Sequence, residues 1–150
     1  MTAAKDVMTE QVITVTPDSS IAQAAKLIAS KSVSGLVVVE NGKPVGVISE
    51  SDIIRGMISK KTKVRDVMDM EFLIVSPSTG FAQLNIHLRE GKIKRFPVVD
   101  NGRLAGLVTE IDIVEATRDF SKVHQIVQDV ILSAFGLATI FFLFYYIRKI

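Results

Sequence analysis

The chain repeats itself. Asp6-Val7-Met8 returns as Asp66-Val67-Met68, Pro17 as Pro77, Ala22-Gln23 as Ala82-Gln83 and Val38-Val39 as Val98-Val99. Asn41-Gly42 returns as Asn101-Gly102, Gly46 as Gly106, Glu50 as Glu110 and Asp52-Ile53 as Asp112-Ile113, always 60 positions on and without an insertion. Residues 6–55 and 66–115 share 15 identities in 50 pairs, too many for chance to hold in one register. A fixed period of this length means one supersecondary unit built twice. A single unit of this size buries too little apolar surface to be comfortable alone. The two are therefore expected to pack as one pseudo-two-fold module, with repeats at 1–60 and 61–120.

Each repeat reads as β-α-β-β-α. A short strand is expected at 12–15 and again at 72–75. Thr16-Pro17 and Ser76-Pro77 then offer a capping hydroxyl followed by proline at the first helical position, where a missing N–H costs nothing. Ile21, Ala24, Ala25 and Ile28 follow at helical spacing, as do Phe81, Leu84 and Leu88. Strands at 36–39 and 45–49 flank Asn41-Gly42, and strands at 96–99 and 104–109 flank Asn101-Gly102. Asn-Gly is the strongest short hairpin signal, because a type I′ turn needs positive φ at both positions. Second helices follow, marked by Ile53, Ile54, Met57 and Ile58, and by Ile113, Val114 and Thr117.

These pieces resemble a known family, the tandem CBS-domain pair or Bateman module. The resemblance rests on Asp-Val-Met at each start and on 13–17 and 73–77, Ile-Thr-Val-Thr-Pro and Leu-Ile-Val-Ser-Pro. It also rests on Phe96-Pro97-Val98-Val99-Asp100 and on the closing runs at 46–53 and 106–113. It covers about four-fifths of the chain. It implies an α+β fold of two CBS repeats and no catalysis of its own. It further implies an adenosine-containing regulatory ligand such as AMP, ADP or ATP in clefts between the repeats, no required cofactor, and a homodimer.

The resemblance also implies site residues. Asp52 with Ser49, and Asp112 with Thr109, would hold ribose and phosphate. A carboxylate can accept two hydrogen bonds from a cis-diol, and charge-assisted bonds are the stronger kind. The same Ser/Thr-x-x-Asp run is also a capping box that needs no ligand. Glu reaches the cap better than Asp, so Asp in both repeats leans toward ligand use. Thr14, Val15, Thr16, Ile74, Val75 and Ser76 would form the adenine-side wall, and they also serve as strand and cap. Lys94 and Arg95, with Phe96 and Pro97 after them, follow Lys92-Ile93, where repeat one has the uncharged 32–35. The basic run is either a solvated loop or a phosphate contact that makes the repeat-two cleft the better site for phosphates. Lys60-Lys61-Thr62-Lys63 reads as a solvated linker.

Residues 130–147 carry no charge and lie between Asp129 and Arg148-Lys149. Eighteen helical residues span about 27 Å, close to the ~30 Å hydrocarbon core. Eleven of them are Val, Ile, Leu or Phe, worth on the order of −5 kcal/mol on the insertion scale. Phe141, Phe142, Phe144, Tyr145 and Tyr146 sit at the far end, as an interfacial belt would. Val123, Ile126, Val127 and Val130 extend the helical spacing upstream. A membrane-anchored segment at 121–150 is expected, in contact with lipid and with an unidentified membrane protein. A buried or oligomerising helix is the alternative, and Ala134 and Ala138 form a weak small-xxx-small pair. Flanking positive charge is even on both sides, Arg118 and Lys122 against Arg148 and Lys149. With no apolar run at the N-terminus, the repeats are expected in the cytoplasm.

Composition excludes other classes. There are no cysteines, so disulfides and thiol catalysis are out. A net charge of +2 makes no nucleic-acid footprint. His87 and His124 sit in neither a Ser/His/Asp nor a metal-ligand spacing. The readings left are a membrane-tethered nucleotide sensor and a ligand-free CBS scaffold that dimerises at the membrane.

Overall fold

The computed structural model describes residues 2–91 and 93–148, including all their side chains except those of 119–121, 123, 142, 143 and 146. Lys92 and Lys149, and the side chains of Val123, Phe142 and Tyr146, lie outside the described residues. The chain divides into two compact units, Met1–Ile113 and Val114–Ile150.

The first unit holds both repeats. Its elements are α1 (Ala4–Val7), β1 (Thr14–Val15), α2 (Ile21–Lys31), β2 (Gly35–Glu40), β3 (Lys43–Ser49) and α3 (Glu50–Ile58). A 3-10 turn at Val64–Asp66 leads to α4 (Phe81–Arg89), β4 (Arg95–Asp100) and β5 (Arg103–Thr109). The last helix, α5 (Glu110–Ile147), begins directly after β5.

The 60-residue period holds in the backbone. β1 runs parallel to β2 with Val15 opposite Val38, and in the second half a single parallel bridge joins Val75 to Val98. β2–β3 and β4–β5 are antiparallel hairpins whose registers coincide after the shift, Gly35↔Ser49 becoming Arg95↔Thr109 and Val38↔Gly46 becoming Val98↔Gly106. Both hairpins carry a bulge at the same place, between Val38 and Val39 and between Val98 and Val99. Both turn on Asn-Gly with left-handed backbone, φ 51° and 80° at Asn41-Gly42, and 47° and 77° at Asn101-Gly102. That is the I′ geometry expected of the dipeptide.

The halves exchange their first segments. Thr9 pairs with Leu107 of β5 through two amide hydrogen bonds of 2.9 and 3.0 Å, and Asp69 pairs with Val47 of β3 at 2.8 and 3.0 Å. Ala4 is fully buried among Val75, Leu84, Phe96, Val98, Val108 and Ile113, a core otherwise drawn from repeat two. Val64 is fully buried among Val15, Ile21, Leu36, Val38 and Ile48, a core otherwise drawn from repeat one. Repetition of Gly46 and Gly106 follows from this exchange. A Cβ on Gly46 would sit 3.0 Å from Met68 Sδ, and one on Gly106 would fall on Met8 Sδ. The Met of each Asp-Val-Met thus covers the glycine of the opposite half.

Two local expectations need correction. Helix α2 starts at Ile21, not at Pro17, and its cap is Ser20, whose Oγ accepts from the Gln23 amide at 3.0 Å. Helix α4 likewise starts at Phe81 after Gly80. The preceding residues are occupied with the other repeat: the Pro17 and Ser19 carbonyls accept from Arg65 and Val64, and the Pro77 and Thr79 carbonyls from Lys5 and Ala4. On α3, only Ile53 of the four apolar residues is buried. Ile54, Met57 and Ile58 are 57%, 65% and 77% exposed, so this helix has a second apolar face turned away from the core.

The second unit is the remainder of α5. Within it, His124–Phe141 is an 18-residue stretch of mean hydropathy 1.3 with none of it buried.

Candidate functional site

The capping box forms in both repeats. Ser49 donates its amide and its hydroxyl to Asp52 Oδ2 at 2.8 and 2.5 Å, and the Asp52 amide returns to Ser49 Oγ at 3.3 Å. Thr109 and Asp112 repeat this at 2.7, 2.7 and 3.5 Å. Asp is therefore long enough to close the box, and the inference from Asp over Glu to ligand use does not hold. The two carboxylates differ in their other oxygen. Asp52 Oδ1 is paired with Arg55, one turn along α3. The residue in the place of Arg55 is Glu115, and among the described residues no cation pairs with Asp112 Oδ1. Asp52 is 6% exposed, whereas Asp112 is half-buried.

Each carboxylate lies at a cleft, and each cleft takes residues from both repeats. The Asp112 cleft, about 350 Å³, joins Thr109, Ile111 and Asp112 to Thr9, Gln11, Val12 and Ile13, and to residues 32–35 and Arg95. The Asp52 cleft, about 280 Å³, joins Ser49, Ser51 and Asp52 to Asp69, Glu71 and Phe72, and to Ile93, Lys94 and Arg95. The clefts are counterparts: 9, 11 and 12 in one stand where 69, 71 and 72 stand in the other.

The structure thus brings Ser49, Asp52, Lys94 and Arg95 together, and Thr109, Asp112 and Arg95 together. Lys94 lies in the cleft of Asp52, not that of Asp112, because each cleft combines the helix start of one repeat with the strand start of the other. The remaining predicted site residues line neither cleft. Val15 and Val75 are buried in the two cores, and Phe96 and Pro97 are fully buried within β4. Thr16 and Ser76 close turns, their amides donating to Ser19 Oγ and Thr79 Oγ1. Ile74 is exposed, and Thr14 lines a separate hollow beside Glu10 and Arg103. The residues not foreseen, 9–13 and 69–72, follow Asp-Val-Met in each repeat. Their period was visible, but the exchange that carries them to the opposite half was not.

Charge separates the clefts further. Arg95 and Asp112 are the only charged residues among the described ones lining the Asp112 cleft, whose other walls include Val12, Ile13, Val33, Leu107 and Ile111. The Asp52 cleft sets Arg55, Lys94 and Arg95 against Asp52, Asp69 and Glu71. Burial pushes the Arg95 guanidinium down from its usual value, opposed by Asp52, Glu50 and Glu110. For Asp52, burial pushes upward, but the Ser49 hydroxyl and amide and Arg55 together outweigh it and hold the carboxyl below its ordinary value. Among the described residues, no group of three or more His, Asp or Glu is placed to hold a metal ion. The Asp112 arrangement suits a small ligand with an apolar ring, a diol for the carboxylate and an anionic end for the guanidinium.

A fold of two interlocked halves with a cleft at each helix start is that of a CBS pair. The CBS-domain model matches residues 4–59 and 64–119, and the chain belongs to this family. It is 32% identical over 117 residues to the CBS domain-containing protein YhcV of Bacillus subtilis, covering 75% of this chain and 84% of that one. Other curated relatives are much longer: the chain spans only 26% of the inosine-5′-monophosphate dehydrogenase of Staphylococcus haemolyticus, at 33% identity. Among solved structures it is similar to the CBS domain pair of protein MJ0100, in complex with 5′-methylthioadenosine and S-adenosyl-L-methionine. That match has a TM-score of 0.74 and 27% identity, covering 79% of this chain and 98% of that one. It is also similar to CBSX2 in complex with AMP, with a TM-score of 0.71 and 31% identity, covering 81% and 99%.

Asp52 gives a pH test of the capping network. Its folded pKa lies below the unfolded value of about 3.9. Its stabilisation is therefore complete above that value and is lost as pH falls through the lower folded one. Asp52→Asn should lower the melting temperature at pH 7, and the gap to the native chain should close below about pH 4. Thermal unfolding between pH 7 and 3 checks this; a gap that stays constant down to pH 3 would exclude the charge as its cause.

Proposed function

We propose that this chain is a membrane-tethered sensor of adenine nucleotides, binding AMP, ADP or ATP in the inter-repeat clefts and signalling to a membrane partner without catalysing a reaction itself. The observation that carries the reading is Asp112. One of its oxygens closes the cap, and the residue lines a cleft in which Arg95 is the single cation among the described residues. A ribose diol on that carboxylate, an adenine against Val12, Ile13 and Ile111, and a phosphate toward Arg95 use every feature of the cleft. Solved relatives crystallised with AMP and with S-adenosyl-L-methionine support the ligand class. The repeats 1–60 and 61–120 act together in this reading, since neither supplies a whole cleft.

Ligand at about 100 times its dissociation constant should add roughly 2.7 kcal/mol of stability and raise the melting temperature by several degrees. The full chain in detergent with AMP should show this shift. Asp112→Ala should remove most of it, and Asp52→Ala less, because Asp52 already spends both oxygens within the protein. Absence of a shift and of calorimetric heat with AMP, ADP and ATP alike would leave the ligand-free scaffold reading in its place.

The tether rests on α5. Ile131, Leu132, Phe135, Leu137 and Ile140 are each at least half exposed, on a stretch long enough to cross a bilayer. A continuous apolar surface of that kind calls for lipid or a partner. The second apolar face of α3, at Ile54, Met57 and Ile58, supports a homodimer in which a second copy covers it. The chain should stay in the membrane pellet through carbonate extraction, and after solubilisation light scattering should give at least two copies per particle. Release by carbonate would overturn the anchor, and a single copy at high concentration the dimer.

A further inference from the structure

Positions 35 and 95 are counterparts, yet one is glycine and the other arginine. Gly35 opens β2 opposite Ser49, and Arg95 opens β4 opposite Thr109. The Arg95 side chain lies across Gly35: a Cβ there would come within 2.7 Å of Arg95 Nε and of the Ile48 carbonyl oxygen. Related residues that touch each other must lie beside the pseudo-two-fold axis. One guanidinium therefore stands where symmetry would supply two or none, and Arg95 lines both clefts.

What else each cleft offers a phosphate is unequal. In the Asp112 cleft Ser34 stands in the place of Lys94, and Arg95 is the only cation among the described lining residues. Arg95 Nη2 donates there to the Ser34 carbonyl at 2.7 Å and to Ser34 Oγ at 2.9 Å. In the Asp52 cleft, Lys94 is drawn toward Glu110 at 3.4 Å and Arg55 is held by Asp52. There too, among the described residues, Arg95 is the cation least committed to a carboxylate.

We propose that Arg95 is a single phosphate-binding group shared by the two clefts, so that a nucleoside phosphate seated in one weakens binding of a second in the other. The guanidinium presents its donors in one rigid fork, so turning it to one cleft removes it from the other. A second phosphate near the same cation also meets the charge of the first in a half-buried site, where repulsion is poorly screened. The proposal rests on the nucleotide-binding reading above. It adds that the module responds chiefly to its first nucleotide and only at much higher concentration to its second.

The test uses steric plugs at counterpart positions on exposed helix surface. Ser51→Trp should close the Asp52 cleft and Ile111→Trp the Asp112 cleft, each leaving one site. Calorimetric titration of the full chain in detergent with AMP should give one molecule bound per plugged chain. Adding Arg95→Gln should weaken AMP about tenfold or more in both plugged chains, about what one charge-assisted bond supplies. It should leave adenosine within about twofold, since adenosine carries no phosphate for the guanidinium; retained adenosine binding also shows that the variant is folded. In the unplugged chain the second AMP should bind at least about tenfold more weakly than in either plugged chain. Arg95→Gln weakening AMP in only one plugged chain would overturn the sharing. Two native affinities equal to the two plugged affinities would overturn the coupling. In both outcomes nucleotide binding itself stands; a native chain that binds neither AMP nor adenosine would remove that reading and this one together.

Discussion

The exchange of opening segments between the repeats is the constraint on which the rest of the first unit depends. Each hairpin on its own leaves an open strand edge, which a small sheet cannot safely expose. Thr9 closes part of the β5 edge and Asp69 part of the β3 edge, each through a reciprocal pair of amide bonds. The same crossings seat Ala4 and Val64 at the centres of the opposite cores. Neither half is complete without residues of the other, which explains why the period runs 60 residues without an insertion. A change of length in one repeat would displace a segment that the other needs.

The exchange also builds the clefts. Residues 9–13 leave β5 and pass beside Thr109 and Asp112, while 69–72 leave β3 and pass beside Ser49 and Asp52. The geometry is duplicated, and a few substitutions then set the clefts apart. Arg55 against Glu115 decides whether the carboxylate has an oxygen to spare. Lys94 against Ser34 and the acids Asp69 and Glu71 against Thr9 and Gln11 decide how much charge each cleft carries. Arg95 against Gly35 places a guanidinium beside the axis. Backbone symmetry supplies two clefts, and side chains at counterpart positions make them unequal.

What the sequence displayed and what it concealed divide along locality. Both hairpins were legible as strand, Asn-Gly turn and strand, because the dipeptide fixes the turn locally, but the bulges that shift the register between Val38 and Val39 and between Val98 and Val99 were not. Helix existence was legible from Ile21, Ala24 and Ile28, but not the start of α2. Thr16-Pro17 is a good local cap, and it lost to hydrogen bonds from Val64 and Arg65, nearly 50 residues away. Ser49 with Asp52 and Thr109 with Asp112 form the capping boxes that their spacing allowed, although the argument from side-chain length was mistaken. Lys94 was expected at the Asp112 cleft and lines the Asp52 cleft; Val15 and Val75, expected at the adenine-side wall, are core, and Phe96 and Pro97, expected at the site, are fully buried. The Lys94 error comes from placing the strand start and the helix start of one repeat at the same cleft. A period reveals that a unit is duplicated, but not that its copies trade parts.

Because each cleft belongs to both repeats, ligand should be felt in both at once. The direct measurement is amide NMR of the isotopically labelled full chain in detergent, titrated with AMP. The account predicts that the first perturbations fall together on Thr109 and Asp112, on Thr9 and Gln11, and on Ser34 and Gly35, three segments distant in sequence that meet only at the Asp112 cleft. Perturbations confined to one repeat, or centred on Thr16 and Ser76 with the Asp112 cleft silent, would contradict it.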